Sequence, residues 1–496
     1  MGQVSDIFII GGGINGVGIA ADAAGRGLSV TLVEQNDLAS GTSSASTKLI
    51  HGGLRYLEYY EFLLVRKALS EREVLLNAAP HIIRPLRFLL PQIGLRPAWL
   101  IRLGLFIYDH LGGRKILPAT NTTKLNKSPY KDILKDHYKK AFVYSDCWVD
   151  DARLVVLNAC VARDKGAEIL CRHKCVSAVR ADGIWRIDVT DTQTDTHKTF
   201  QAKVLINAAG PWVGDVIKNV IKKPDEKLVR LVKGSHIIVR KIFEHNKAYL
   251  FQGNKGRVIF AIPYENDYTL IGTTDQDYDG NLEDVTISEM EIDYLCDVAN
   301  EYFKRAISPD DVISHYAGVR PLYNDGASDA KEATRDFVLK LDETQALLNI
   351  IGGKITTYRI LAEQSMAKIR DYFPNMKGKW TASSPLPGGN FNISEYEFYL
   401  YKLASEYPFL KDDVIDRYFA SYGTKAWDVL KDCENKSDMG QHFGHGLYET
   451  EVKYLIENEW AMTAEDILWR RTKLGLHMNK DQKGALIHWF SVKPRV

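Results

Sequence analysis

Apolar and polar positions alternate along this chain in rhythms that change several times. Residues 6–10, DIFII, form a short apolar run of the kind that suits a strand buried on both faces. Ile14 to Ala24 is rich in alanine with a helical pattern, Gly25 and Gly27 stop it, and LSVTLVE ends a second strand at Glu34. Residues 56–79 read as a charged amphipathic helix halted by Pro80. Strand-like segments follow near 168–180 and 184–190, and KVLINAAGPWV (203–213) is a buried strand running into a turn of small residues. From 230 to 348 the chain is strand-rich, with HIIVR, RVIFAIPY and YTLIGTTD, as expected of an antiparallel sheet. LLNIIGGKITTYRILAEQ (347–364) returns to strand, Gly-Gly turn and helix, PLPGGN (385–390) reads as a linker, and the remainder is mainly helical. There are no tandem repeats and no low-complexity tract.

The first of these elements carry a chemical motif. Gly11, Gly13 and Gly16 form GxGxxG between strand and helix. Gly11 allows the tight turn, Gly13 lets the backbone approach a pyrophosphate, and Gly16 lets helix pack on strand. The helix N-terminus offers free N–H groups and partial positive charge to phosphates. Glu34, 18 residues beyond Gly16, is placed to accept hydrogen bonds from an adenosine ribose and would repel a 2′-phosphate. Strand, turn, helix, strand and acid in that order make dinucleotide binding the expectation, with FAD or NAD favoured over NADP.

Composition narrows the picture. The 496 residues allow about two or three domains. A net charge of +1 argues against nucleic-acid binding by bulk charge. The six cysteines form no CxxC pair and no zinc pattern, and are expected as reduced thiols in a cytosol-facing protein. No targeting segment is expected before the first strand, Asp6 breaks the myristoylation pattern after Gly2, and no stretch of 18 apolar residues suggests a membrane span. Membrane contact would therefore be peripheral. Residues 84–115 suit it: six Lys or Arg and one acid, Asp109, stand among large apolar residues, and Pro97 could open a helix with Trp99, Leu103, Phe106 and His110 along one side. In YSDCWVDDARLV (144–155), Asp150 or Asp151 is expected to cap a helix rather than bind metal. His442 and His445, lacking an HExxH context, read as surface residues, and no metal site is expected.

The set IIGGGINGVGIAADAAGRGL, TSSASTKLIHGGLRYLE, YSDCWVDDARL, NAAGPWV, KGSHIIV, IGTTD, GVRPL, TRDF and GGKITTYR occurs in one order. Together these closely resemble the FAD-dependent, quinone-linked sn-glycerol-3-phosphate dehydrogenases of bacteria, over essentially the whole chain. The resemblance implies an α/β plus α+β fold: a Rossmann-like FAD-binding domain, an antiparallel-sheet substrate domain and a C-terminal helical cap domain. The expected boundaries are FAD-binding parts at 1–80, 144–229 and 346–384, a basic apolar insertion at 81–143, a substrate domain at 230–345 and the cap at 385–496. The implied reaction oxidises sn-glycerol 3-phosphate to dihydroxyacetone phosphate, with electrons passing through FAD to a membrane quinone. The targeting segment and C-terminal calcium-binding extension of mitochondrial members are not seen, which favours a peripheral bacterial enzyme on the cytoplasmic face of the inner membrane. A homodimer is among the expected assemblies.

The resemblance also implies a site. Arg55, Arg320 and Arg335 would line the substrate pocket with Tyr56, because a phosphate dianion calls for bidentate guanidinium contacts. His236 is the first choice of general base; His51 is the alternative, or touches the flavin ring. Lys354 and the helix start after Gly352 and Gly353 would face the negative charge of reduced flavin. The other expected cofactor contacts are Ile14, Asn15, Gln35, Thr42, Ser43, Ser44, Lys48, Leu49, Gly52, Val176, Ala209, Gly210, Trp212, Ile355 and Thr356, beside the glycines and Glu34 already named. In the run SSASTKLIHGGLRYLEYYEF (43–62), Ser43, Ser44 and Lys48 would offer donors to FAD, Gly52 and Gly53 would pass close to the isoalloxazine, and Arg55 would emerge on the substrate side. Competing readings are an oxidase of glycerol 3-phosphate that uses oxygen, an amino-acid-oxidase-like flavoenzyme, and a non-catalytic flavoprotein.

Overall fold

The structure, a computed structural model, describes residues 4–94, 96–224, 228–253, 257–324 and 336–492. Its first sheet is built on the predicted strand–turn–helix–strand unit: β1 (Ser5–Ile10), α1 (Ile14–Gly25) and β2 (Val30–Glu34). β1 pairs in parallel with β2 and with β10 (His197–Asn207), and β2 pairs in parallel with β7 (Glu168–Cys171). β18 (Leu347–Ile351) extends the parallel sheet beside β10, and β17 (Val338–Asp342) closes that edge antiparallel to β18. β8 (His173–Ala181) and β9 (Ile184–Asp191) join through β9 to β10. Burial on both faces explains the apolar runs Ile7–Ile10 in β1, Val204–Ile206 at the end of β10 and, broken only by Asn349, Leu347–Ile351 in β18. α1 packs against the helix α4 (Asp151–Asp164), whose N-cap is Asp150, as predicted; its side chain accepts from the Arg153 N–H.

The second sheet has ten strands, mostly antiparallel. It holds β11 (Val229–Arg240), β12 (Ala248–Gln252), β13 (Val258–Tyr264), β14 (Tyr268–Gly272), β15 (Gln276–Asp277) and β16 (Val312–Tyr323). It also takes β3 (Leu49–Ile50), β4 (Ile83–Pro91), β5 (Asn121–Lys124) and β6 (Lys140–Val149). Residues 83–91 and 140–149 are thus strands of this sheet; the sequence reading places them in a membrane- or substrate-side insertion and, from 144, in the continued FAD-binding part, without strands of the second sheet. The physical reason is the hidden period of two in β4. Leu86, Phe88 and Leu90 enter one apolar cluster, and Leu89 enters the cluster on the opposite face.

The helix expected after Pro97 is present as α3 (Ala98–Leu111). It stands beside α2 (Phe62–Ala78), which begins later than expected because Leu54–Tyr59 forms a 3₁₀ turn first. The C-terminal part, from Tyr396 onward, is helical with one small hairpin, His442–Gly444 with Leu447–Tyr448, and has an apolar core of its own. The cysteines are all buried and unpaired. Among the described residues, no helix is long and apolar enough to cross a membrane, and no cluster of His, Cys, Asp and Glu could hold a metal ion.

Candidate active site and cofactor cleft

One cavity of about 960 Å³ runs from the C-terminal edge of the parallel sheet to the face of the second sheet. Its first end is the glycine turn. Gly11 has φ +114°, and a Cβ there would lie 2.6 Å from the Ala208 carbonyl oxygen, so only glycine fits. A Cβ on Gly16 would lie 1.9 Å from the Gly11 oxygen; this glycine serves helix packing and does not itself line the cavity. The Glu34 carboxylate accepts from the Gly12 N–H at 2.7 Å and the Asn36 N–H at 2.8 Å. Each oxygen retains acceptor capacity toward a ribose. Burial pushes its carboxyl above the usual range. Gln35 lines the cavity next to it.

The segment 42–47 bridges the two sheets. Thr42 Oγ1 donates to the Val319 carbonyl at 2.6 Å, and the Tyr316 hydroxyl donates to the Ser46 carbonyl at 2.7 Å. Ser43 Oγ accepts from the Ile14 N–H at 3.0 Å, at the start of α1. Opposite, Asn15 Nδ2 donates to the Gly352 carbonyl at 3.0 Å, which ties α1 to the second glycine turn, where Gly352 and Gly353 have φ +76° and +99°. Gly13, Ile14, Asn15, Thr42, Ser43 and Leu49 all line the cavity. So do Ala209, Gly210 and Trp212 on one side and Gly352, Gly353, Lys354, Ile355 and Thr356 on the other.

Besides Gly16, four expected contacts do not line the cavity. Lys48 is 2% exposed and does not line the cavity. Its Nζ donates to Asp151 Oδ2 at 2.6 Å and to the Ser44 carbonyl. The ammonium neutralises a buried acid at the start of α4, and burial lowers its pKa while Asp151 opposes that shift. Ser44 also lies off the cavity, with its Oγ 3.4 Å from the Gly41 carbonyl. Gly52 faces α2 and α3: a Cβ would lie 2.4 Å from Leu69, and its N–H donates to the Tyr108 hydroxyl at 2.8 Å. Gly53, its neighbour, does line the cavity. Val176 is exposed beside the cavity residue Cys175, at an irregularity in the β8–β9 pairing that turns its side chain away.

At the second sheet, His236, His51, Arg55, Tyr56, Arg320 and Lys354 border the same cavity. His236 is in mid-strand on β11, 2% exposed, with Nε2 2.9 Å from Thr47 Oγ1 and its ring stacked on Tyr316. Burial, with Lys48 and Arg320 nearby, holds its pKa well below the ordinary histidine value. His51 is similarly lowered to about 4 by burial, then by Lys354 and Arg72. Both imidazoles are therefore neutral at pH 7. Arg320 lies on β16 against Gly234, where a Cβ would meet its guanidinium at 2.2 Å. It donates to the Thr274 carbonyl at 3.0 Å and stands 3.5 Å from Asp275. Arg55 Nη2 donates to the Tyr59 hydroxyl at 3.1 Å, and Lys354 Nζ lies 4.1 Å from the centre of the Tyr56 ring. Arg335 lies outside the described residues.

Sequence reasoning missed Thr47, Arg257 and Asp275, which also line the cavity. Thr47 sits inside a run already singled out, but only the cross-sheet pairing shows it facing His236. Asp275 closes the motif IGTTD and Arg257 opens the strand run RVIFAIPY, but nothing in either run marks these side chains as facing the cavity.

A glycine cradle at a helix start, an acid at the ribose position and a long cleft between two sheets fit a flavin dinucleotide. Comparison with known proteins agrees. Residues 6–359 match the family model "FAD dependent oxidoreductase", and 379–488 match "C-terminal domain of alpha-glycerophosphate oxidase". The chain is 53% identical to D-erythritol 1-phosphate dehydrogenase of Brucella abortus, covering 98% of each. It is 49% identical to glycerol-3-phosphate dehydrogenase of Pseudomonas aeruginosa, covering 98% of this chain and 95% of the relative. The structure of the glycerol-3-phosphate dehydrogenase from Bacillus halodurans complexed with FAD superposes with a TM-score of 0.79 at 29% identity, covering 99% of this chain and 90% of that one. The chain belongs to the FAD-dependent oxidoreductase family, and FAD is its cofactor.

Proposed function

We propose that this enzyme oxidises sn-glycerol 3-phosphate to dihydroxyacetone phosphate and delivers the electrons to a membrane quinone. The observation that carries the reading is the convergence of Arg55, Arg320, Lys354 and His236 on the cavity that the FAD cradle opens into. FAD, when bound, supplies the two-electron acceptor for the hydride from C2. The protein's own groups do the rest. Arg55 and Arg320 bind the phosphate by charge-assisted hydrogen bonds. Asp275 and the Thr274 carbonyl hold the Arg320 guanidinium in place. His236, neutral at working pH and steadied by Thr47 and Tyr316, takes the C2 hydroxyl proton on a ring nitrogen. Arg335 belongs to this proposal by resemblance alone.

The acceptor side rests on α3. Trp99, Leu100, Leu103 and Phe106 are exposed along it, and the cavity-lining Tyr59 and Leu63 are exposed beside it. Arg102 lies on α3 and Arg96 and Arg114 stand just before and after it in the chain, Arg96 paired with Glu58; this mix of apolar and basic residues suits an anionic lipid surface. We assign it to peripheral docking on the cytoplasmic face of a membrane.

A second reading has its own support: D-erythritol 1-phosphate as substrate, from the 53% identity to the Brucella abortus enzyme. It needs the same arginines and base. The deciding experiment is anaerobic. Each polyol phosphate is added to the holoenzyme and the visible flavin absorbance is followed. Faster bleaching by sn-glycerol 3-phosphate, reversed by a quinone, supports the first reading; faster bleaching by D-erythritol 1-phosphate replaces it with the second. Bleaching by neither overturns both.

A further inference from the structure

The C-terminal helical domain grips the cofactor cleft from outside, at its adenosine end. Asp37, three residues beyond Glu34, is 1% exposed. Both its oxygens accept from the Arg471 guanidinium at 2.8 Å, and Oδ2 also accepts from Arg470 Nε at 2.5 Å. Burial alone would push its carboxyl up, but Arg471 and then Arg470 hold it below the usual range. The loop that carries Asp37 is the cleft wall: Glu34, Gln35, Asn36, Ala39 and Ser40 all line the cavity. The same C-terminal segment also reaches the neighbouring loop. Asp466 accepts from Arg172 at 2.7 Å, and the Arg172 N–H donates to the Asn36 carbonyl at 2.9 Å. Arg471 is anchored on its own side by the Glu459 carbonyl, at 2.7 and 3.1 Å.

We propose that Arg471 is a positioning residue for FAD: through Asp37 it fixes the 34–40 loop against the cofactor's adenosine half. Without the guanidinium, Asp37 is a buried carboxylate short of partners and moves toward water, carrying the loop with it. The coupling is reciprocal, so FAD tightens the docking of the C-terminal domain by the same factor that docking tightens FAD. The inference is independent of which polyol phosphate is oxidised.

The test is FAD titration of apoprotein for the wild type, Arg471→Met and Arg417→Met. Arg417, half-buried, forms a bidentate pair with the buried Glu451 wholly within the C-terminal domain, so its loss weakens that domain without touching the loop. Arg471→Met should raise the FAD Kd by about 5–150-fold. Flavin reduction by substrate at saturating FAD should stay near wild type, and Arg417→Met should leave the Kd unchanged. Asp37→Asn, nearly isosteric, should reproduce the Kd increase and decides the matter if Arg471→Met does not fold. An unchanged Kd in Asp37→Asn, or equal increases in the Arg471 and Arg417 variants, overturns the proposal.

Discussion

His236 meets Thr47 across the junction of two domains, and that single contact sets the chemistry expected of the residue. Its pKa is well below 6.5, so the neutral, proton-accepting form persists as pH falls through 6.5. The acid limb of the kcat/KM profile for sn-glycerol 3-phosphate should therefore lie below that value. His236→Ala should lower kcat by about 10²–10⁴-fold with little change in KM, the usual size of a general-base contribution. Arg320→Ala should instead raise KM by about tenfold to a hundredfold, since hydrogen bonds to charged groups contribute about 1.5–3 kcal/mol. Arg320→Lys should not restore it, because an ammonium cannot reproduce the fork. Steady-state kinetics on both variants separates the two roles. At this scale the sequence was informative where a residue sits in a motif and silent where its partner is distant. Lys48 shows the limit. Its position in a polar, glycine-flanked run suggested a ligand contact, yet its charge is claimed by Asp151 about a hundred residues on. Nothing local announces that pairing.

The glycine turn was the most legible element, because its dihedral and steric demands admit few residues. Gly11→Ala should yield colourless protein, measured as the flavin-to-protein ratio after purification, since its Cβ would overlap the Ala208 oxygen at a positive φ. β4 was hidden. Its arginines break the apolar pattern, but Arg84 stacks over Trp148 and Arg87 donates to Ser145 Oγ and the Val143 carbonyl, so both serve the sheet. Pro85 is tolerated because β12 pairs only with Phe88 and Leu89. α3 was read correctly in place and face: Trp99 and Phe106 are 68% and 58% exposed. Burying such a side chain contributes about 1.5–3 kcal/mol. Trp99→Ser with Phe106→Ser should weaken partition onto anionic vesicles by about tenfold or more, read by co-sedimentation, without altering substrate-driven flavin bleaching.

At the scale of the whole molecule, the seam between the FAD-binding part and the C-terminal domain is lined with buried charge and one buried histidine. His81 is fully buried, with Gly388 and Gly423 pressed against its ring, and neither ring nitrogen has a partner among the described residues. Its pKa is lowered to about 3, first by burial and then by Arg153. The unfolded chain takes up this proton near pH 6.5 and the folded one only near 3. Stability is therefore full above 6.5 and falls between those values, by about 1.4 kcal/mol per pH unit for this group. His81→Leu should flatten that slope in urea unfolding across pH 4–7. The seam could not be read from the sequence, because His81 and the glycines that press on it lie more than three hundred residues apart.

The apolar face of α3 adjoins the cavity mouth, where Tyr59 and Leu63 stand exposed. An enzyme docked there would share two dimensions with a lipid-dissolved acceptor while drawing its polar substrate from a third. Its turnover would then follow the mole fraction of quinone within the bilayer, not the amount per volume of solution. Diluting a fixed quantity of quinone with further phospholipid would slow the enzyme even though every bulk concentration of reactant stayed the same.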